Sequence, residues 1–167
     1  MKKNIVILGS TGSIGKTTFS ILKKNKHFFN VQLLTTNKNI NELIKQSKIF
    51  DVKNLIVTDK KKFLVAKKIL KNKKINIFNN FDCFKKIFKK KVDYTMSSIS
   101  GLDGLEPTLN IIKFSKKIAI ANKESIICAW SLIKKEIIKH KTIFIPIDSE
   151  HFSIWSLLND SNKKKVD

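Results

Sequence analysis

Three short clusters in this chain combine residue types and spacings that can do chemistry. The first is Gly9-Ser10-Thr11-Gly12-Ser13-Ile14-Gly15, directly after the apolar run 5–8 and directly before a helix-like stretch at 16–22. A strand, a glycine-spaced turn and a helix start make an anion site. Gly9 permits the tight turn, Gly12 lets backbone approach a pyrophosphate, and Gly15 lets the helix pack on the strand, while open N–H groups of the first helical turn face the anion. The spacing is G-x-x-G-x-x-G rather than G-x-G-x-x-G. A second reading uses residues 10–17, one substitution from the triphosphate loop G-x-x-x-x-G-K-[ST], with Ser10 where the first Gly belongs. Lys16 would then reach phosphates and Thr17 a magnesium ion, and the strand-like run 142–147 followed by Asp148 would complete the site. A third reading is a turn that binds nothing.

The second cluster is Ala121-Asn122-Lys123-Glu124-Ser125, after the apolar run 118–120, and the third is Asp148-Ser149-Glu150-His151, after 143–147. Parallel sheets bind ligands at such strand ends. Asp148 and Glu150 are two residues apart, so in extended backbone both carboxylates point the same way, and paired hard oxygens suit Mg²⁺ or Mn²⁺. Lys123 can bind a substrate phosphate or oxyanion, and Ser149 can donate to one. The competing reading makes Asp148 or Ser149 the cap of a helix containing Phe152, Ile154, Trp155 and Leu158.

The second strand is informative by omission. Folds that bind NAD place an acid at its end, against the ribose 2′-OH. Here it ends Thr35-Thr36-Asn37-Lys38-Asn39, with no acid and with Lys38 available for a 2′-phosphate. That favours NADP, against the plainer reading of a polar loop in a lysine-rich chain.

The elements that must position these clusters alternate along the chain. Strand-like runs fall at 5–8, 31–35, 55–58, 75–78, 92–96, 118–121 and 143–147. Helix-like segments fall at 16–22, 41–50, 61–70, 82–88, 104–114 and 125–138. The last carries Ile126, Ile127, Trp130, Ile133, Ile137 and Ile138 as its apolar set. Strand–helix alternation with short connections predicts an α/β fold: a doubly wound, mostly parallel sheet with helices on both faces.

The 167 residues are enough for a real core, and 42% are hydrophobic, which excludes a disordered chain. No run reaches membrane-spanning length and no signal-peptide core opens the chain, so a cytoplasmic location is expected. Cys83 and Cys128 are far apart and read as reduced core residues. The formal charge of +21 suggests nucleic acid, but all 34 basic residues are Lys. A nucleic-acid surface is expected to keep some Arg for its bidentate fork. The lysine runs 60–62, 71–74 and 85–91 read as solvated faces, and no specific nucleic-acid partner is expected.

In order and spacing, the first, second and third clusters, together with Gly101-Leu102-Asp103-Gly104-Leu105-Glu106-Pro107-Thr108-Leu109, resemble the 1-deoxy-D-xylulose 5-phosphate reductoisomerase family. The resemblance runs from the N-terminus to about Leu158. It implies a Rossmann-like domain over 1–147, with 148–167 beginning the metal- and substrate-binding catalytic domain. The implied reaction is the NADPH-dependent rearrangement and reduction of 1-deoxy-D-xylulose 5-phosphate to 2-C-methyl-D-erythritol 4-phosphate, in the non-mevalonate route to isoprenoid precursors.

By position, Thr11, Gly12, Ser13 and Ile14 would hold the NADPH pyrophosphate. Asn37, Lys38 and Asn39 would lie at its 2′-phosphate; the family often has Gly at the position of Asn37. Asn122 and Glu124 would contact the cofactor. Lys123, Ser149 and Glu150 would contact the phosphorylated sugar, and Asp148 and Glu150 the Mg²⁺ or Mn²⁺. His27, His140 and His151 receive no role. The resemblance also implies a homodimer for the whole enzyme. Family members are much longer, so the chain reads as their N-terminal part, without the remaining metal carboxylate, the substrate-phosphate residues, the lid or the C-terminal helical domain. It is therefore expected to be inactive alone.

Overall fold

Val6, Ile7 and Leu8 are consecutive and fully buried. Successive strand residues point to opposite faces, so such a run requires cover on both sides of its sheet. The computed structural model, which describes residues 1–147, has that arrangement. Seven strands are all parallel: β1 (Lys3–Leu8), β2 (Phe29–Thr36), β3 (Asn54–Val57), β4 (Asn76–Phe78), β5 (Tyr94–Ser97), β6 (Lys117–Ile120) and β7 (Ile143–Pro146). Their order is β4-β3-β2-β1-β5-β6-β7. The helices are α1 (Ser13–Lys24), α2 (Ile40–Phe50), α3 (Lys60–Ile69), α4 (Phe84–Ile87), α5 (Leu105–Ile112) and α6 (Lys123–Lys139).

Each face has its own core. Phe19 and Leu22 of α1, Leu43 and Phe50 of α2 and Ala66 of α3 pack on Ile5, Ile7, Val31, Leu34, Leu55 and Val57. Phe84 of α4, Ile111 and Ile112 of α5 and Ile133 of α6 pack on Val6, Leu8, Leu33, Ile56, Ile118 and Ile120. From β1 the chain walks outward to β4, then returns to restart at β5 on the other side of β1. The reversal lies between β1 and β5, and a doubly wound sheet opens its ligand crevice at such a point, beyond the strand C-termini.

The sequence-derived elements all appear, with shifted ends. The first helix starts at Ser13 rather than 16, and 82–88 contracts to the single turn Phe84–Ile87. Three readings need correction. Ile127 and Ile138, placed in the apolar set of the last helix, are 80% and 66% exposed. The helix turns Ile126, Ala129, Ile133 and Ile137 inward instead, and non-helical backbone at Ala129 breaks its periodicity. Cys83 is buried, but Cys128, next to Ile127 on the outer side, is exposed. Lys91, assigned to a solvated run, is half-buried; its Nζ donates to the His140 carbonyl and, at 3.4 Å, to Thr142 Oγ1, and burial lowers its pKa. No helix among the described residues is long and apolar enough to cross a membrane.

Candidate functional site

The turn after β1 is fixed from three sides. Gly9 N–H donates to Thr35 Oγ1 at 2.7 Å, Ser10 N–H donates to the Thr35 carbonyl at 2.9 Å, and the Thr11 and Thr36 hydroxyls meet at 2.6 Å. From the β5 side, Ser98 Oγ donates to the Leu8 carbonyl at 2.7 Å. Gln46 Nε2, from α2, donates to the Ser10 carbonyl at 3.0 Å. These bonds explain two of the glycines. Gly9 has φ +78°, and a Cβ there would lie 2.7 Å from the Ser98 carbonyl oxygen; a Cβ on Gly15 would lie 2.2 Å from the Gly9 carbonyl oxygen. Gly12 is different. Its φ of −76° suits any residue, and its Cβ would come no closer than 3.4 Å to other protein atoms. Packing inside the protein therefore accounts for Gly9 and Gly15 but not for Gly12, whose position lines the cleft.

Gly12 is also the N-cap of α1, and it supplies no side-chain acceptor. By contrast, α2, α3 and α6 are capped by Asn39, Asp59 and Asn122, which accept from Glu42, Lys62 and Ser125 N–H at 3.1, 2.8 and 3.0 Å. The N-terminus of α1 is left open at the switch point, with the partial positive charge of its first-turn N–H groups unopposed by any acid in that turn.

A cleft of about 790 Å³ runs from this turn across the C-terminal ends of β2 and β3. Gly9, Thr11, Gly12, Asn37, Lys38 and Asn39 line it, with Ser98–Ser100, Phe81, Asp103 and Glu106 among its other walls. On the other side of the turn, a smaller hollow shares Ser98, Ile99 and Ser100 and is lined by Ile14, Asn122, Lys123 and Glu124. The two parts of the site adjoin at this shared Ser98–Ser100 wall. Of the site residues within 1–147 that the family resemblance implies, only Ser13 lines neither part; as the first residue of α1 it stands beside Gly12. Asn37 Nδ2 donates to Thr58 Oγ1 at 2.8 Å, and Lys38 is exposed, with no carboxylate partner among the described residues. Asn122 is buried: besides capping α6, its amide donates to the carbonyls of Ile99, at 2.8 Å, and Gly101. It thereby holds the wall shared by the two parts of the groove.

The triphosphate reading of residues 10–17 does not fit this geometry. A loop that wraps phosphates would keep residues 10–15 outside the helix, whereas α1 already begins at Ser13. Thr17 Oγ1 donates back to the Ser13 carbonyl at 3.2 Å instead of facing a metal. The strand before Asp148, β7, is three strands from β1, roughly 14 Å at ordinary strand spacing. Asp148, Ser149, Glu150 and His151 themselves lie outside the described residues. Among the described residues no group of three or more His, Cys, Asp or Glu could hold a metal ion.

Thr35, Thr36, Ser98 and Gln46 were not singled out from sequence. Parallel register carries a signal for the threonines, because Ile7 pairs with Leu34 and so the last residues of β2, Thr35 and Thr36, come level with the end of β1 and the turn after it. Gln46 falls on the inward stripe of α2 with Leu43 and Phe50, an unusual place for an amide.

The open, doubly wound sheet with an uncapped helix start at its switch point defines a Rossmann-like nucleotide-binding architecture. The family model for 1-deoxy-D-xylulose 5-phosphate reductoisomerase matches residues 5–130, and the chain belongs to that family. It is 62% identical over 164 residues to the 1-deoxy-D-xylulose 5-phosphate reductoisomerase of Pelagibacter ubique (strain HTCC1062), covering 97% of this chain and 42% of that protein. The solved reductoisomerase from Zymomonas mobilis, in complex with NADPH, superposes with a TM-score of 0.82 at 31% identity, over 90% of this chain and 40% of the other. A reductoisomerase structure with NADPH, fosmidomycin and magnesium gives 0.81 at 28% identity, over 89% and 37%. The chain thus spans about two fifths of the length of the relatives it matches.

Proposed function

We propose that this chain forms the NADPH-binding part of an enzyme that converts 1-deoxy-D-xylulose 5-phosphate to 2-C-methyl-D-erythritol 4-phosphate. The observation that supports the reading is one cleft lined at one end by the open start of α1 and at the other by Lys38. The uncapped start of α1, with Gly12 bare beside it, lies at the switch point, and Lys38 stands at the end of β2 where NAD-selective folds carry an acid. In this reading Thr11, Gly12, Ser13 and Ile14 cradle the pyrophosphate, and Asn37, Lys38 and Asn39 receive the 2′-phosphate. Glu124 flanks the nicotinamide end, and Asn122 meets the cofactor there while keeping Ile99 and Gly101 in place. The bound cofactor supplies the hydride that reduces the rearranged aldehyde.

The proposal extends to residues 148–167 as the beginning of the catalytic domain. Asp148 and Glu150 there take Mg²⁺ or Mn²⁺, and Ser149, Glu150 and Lys123 take the phosphorylated sugar. The whole enzyme is proposed to be a cytoplasmic homodimer. Residues 1–167 by themselves bind NADPH without turnover, because a rearrangement needs a complete metal shell and exclusion of water. Lys38→Gln tests the 2′-phosphate assignment: NADPH affinity falls by about tenfold while NADH affinity stays unchanged. Equal losses for both cofactors would contradict it.

A further inference from the structure

We propose that Gln46 is a positioning residue for the pyrophosphate site, latching the Ser10–Thr11 peptide so that the Thr11 N–H is held out for the anion. The inference rests on the dinucleotide reading of the groove. Gln46 is 2% exposed, and its Nε2 lies 3.0 Å from the Ser10 carbonyl oxygen and 3.4 Å from Glu42 Oε1. Two acceptors flank that atom, so it is the amide nitrogen; the reverse orientation would set oxygen against oxygen. The cost is visible at the other end of the amide, where Gln46 Oε1 is buried with no hydrogen-bond partner. A leucine would fill the same inward position of α2 without that orphan.

The peptide between Ser10 and Thr11 is trans, so its C=O and N–H point in opposite directions. Drawing the Ser10 oxygen toward buried Gln46 sends the Thr11 N–H the other way. That N–H makes no hydrogen bond among the described residues, and Thr11 lines the cleft. Rotation of this one peptide would replace a donor with a carbonyl oxygen facing the phosphates. Gln46 belongs to α2, whose cap Asn39 lines the other end of the cleft, so the latch also fixes the turn relative to the proposed 2′-phosphate loop.

The test is calorimetric titration of the wild-type chain, Gln46→Met and Gln46→Glu with NADP⁺ and with 2′-AMP, alongside thermal unfolding without ligand. 2′-AMP carries the adenosine and 2′-phosphate but no pyrophosphate. In Gln46→Met, NADP⁺ affinity should fall by about tenfold, the loss of one oriented donor, while 2′-AMP affinity stays within about twofold. An unchanged NADP⁺ affinity would overturn the inference, and so would equal losses for both ligands, which would mark a merely structural role. In Gln46→Glu, the buried carboxyl can donate to Ser10 only when protonated. The ratio of variant to wild-type Kd for NADP⁺ should therefore fall toward one between about pH 8 and about pH 6. A flat ratio overturns the inference even if Gln46→Met does not fold. A wild-type chain that binds neither ligand would instead remove the dinucleotide reading itself, and the latch with it.

Discussion

The hydroxyls of Thr11 and Thr36 lie 2.6 Å apart and join the turn after β1 to the end of β2. One residue stands at the proposed pyrophosphate turn. The other directly precedes Asn37-Lys38-Asn39, and both line the cleft. The pair spaces the two proposed anion-binding ends of the cleft. Thr36→Val keeps the shape of a buried side chain and deletes the bond. It should weaken NADPH binding by about three- to tenfold and change folding stability by only about 1 kcal/mol, because Thr11 can turn its hydroxyl to water. Thr36→Ser should restore most of the affinity. Titration with NADPH and urea unfolding on the three proteins check both parts.

Gly12 and Gly15 should fail in opposite ways. A Cβ on Gly15 would meet the Gly9 carbonyl oxygen at 2.2 Å, a clash with backbone that no side-chain rotation relieves. Gly15→Ala should cost at least about 3 kcal/mol of folding stability. A Cβ on Gly12 meets nothing closer than 3.4 Å, so Gly12→Ala should fold within about 1 kcal/mol of the wild type. Its methyl group would nevertheless occupy the space beside the open helix start. NADPH affinity should fall by more than about tenfold. Urea denaturation followed by NADPH titration separates the two effects.

Asp93 should contribute to the acid dependence of folding stability. Its carboxylate accepts from Lys116 Nζ and from the Asn4 N–H, each at 2.8 Å, tying together the starts of β1, β5 and β6. Both contacts lower its pKa below the ordinary carboxylate value, with the Lys116 bond the larger cause. A depressed folded-state pKa means that this contribution is fully present above the unfolded pKa, about 3.9, and is lost as pH falls from there through the folded value. Asp93→Asn should be less stable than the wild type at neutral pH and should lose less stability on going to about pH 3. Urea unfolding midpoints measured against pH test this. Parallel acid limbs for the two proteins would contradict it.

The seven strands were legible because parallel strands covered on both faces read as short continuous apolar runs, as in Val6-Ile7-Leu8. The glycine turn was legible because 9, 12 and 15 follow such a run and lead into a helix. Contacts made through burial of polar groups were not. Gln46 shares the inward stripe of α2 with Leu43 and Phe50, but spacing does not say which polar atom a buried amide meets; only the packing of α2 sets it against Ser10. Asn122 reads as a cofactor contact, yet its side chain caps α6 and its amide ties down Ile99 and Gly101 from twenty or more residues away. Ile127 and Ile138 misled because apolar composition alone does not say which side of a helix faces the sheet, and the break at Ala129 shifts the phase.

The most direct test of the central claim is a titration of the chain with NADPH at physiological salt with excess ATP present, following energy transfer from tryptophan, with NADH titrated in parallel. Trp130, packed against Phe144 at 5.4 Å on α6, is one donor in the described fold. Saturable NADPH binding that ATP does not displace, and that NADH matches only at much higher concentration, is the predicted result. A folded chain that binds NADPH and NADH equally, or neither, would contradict the account.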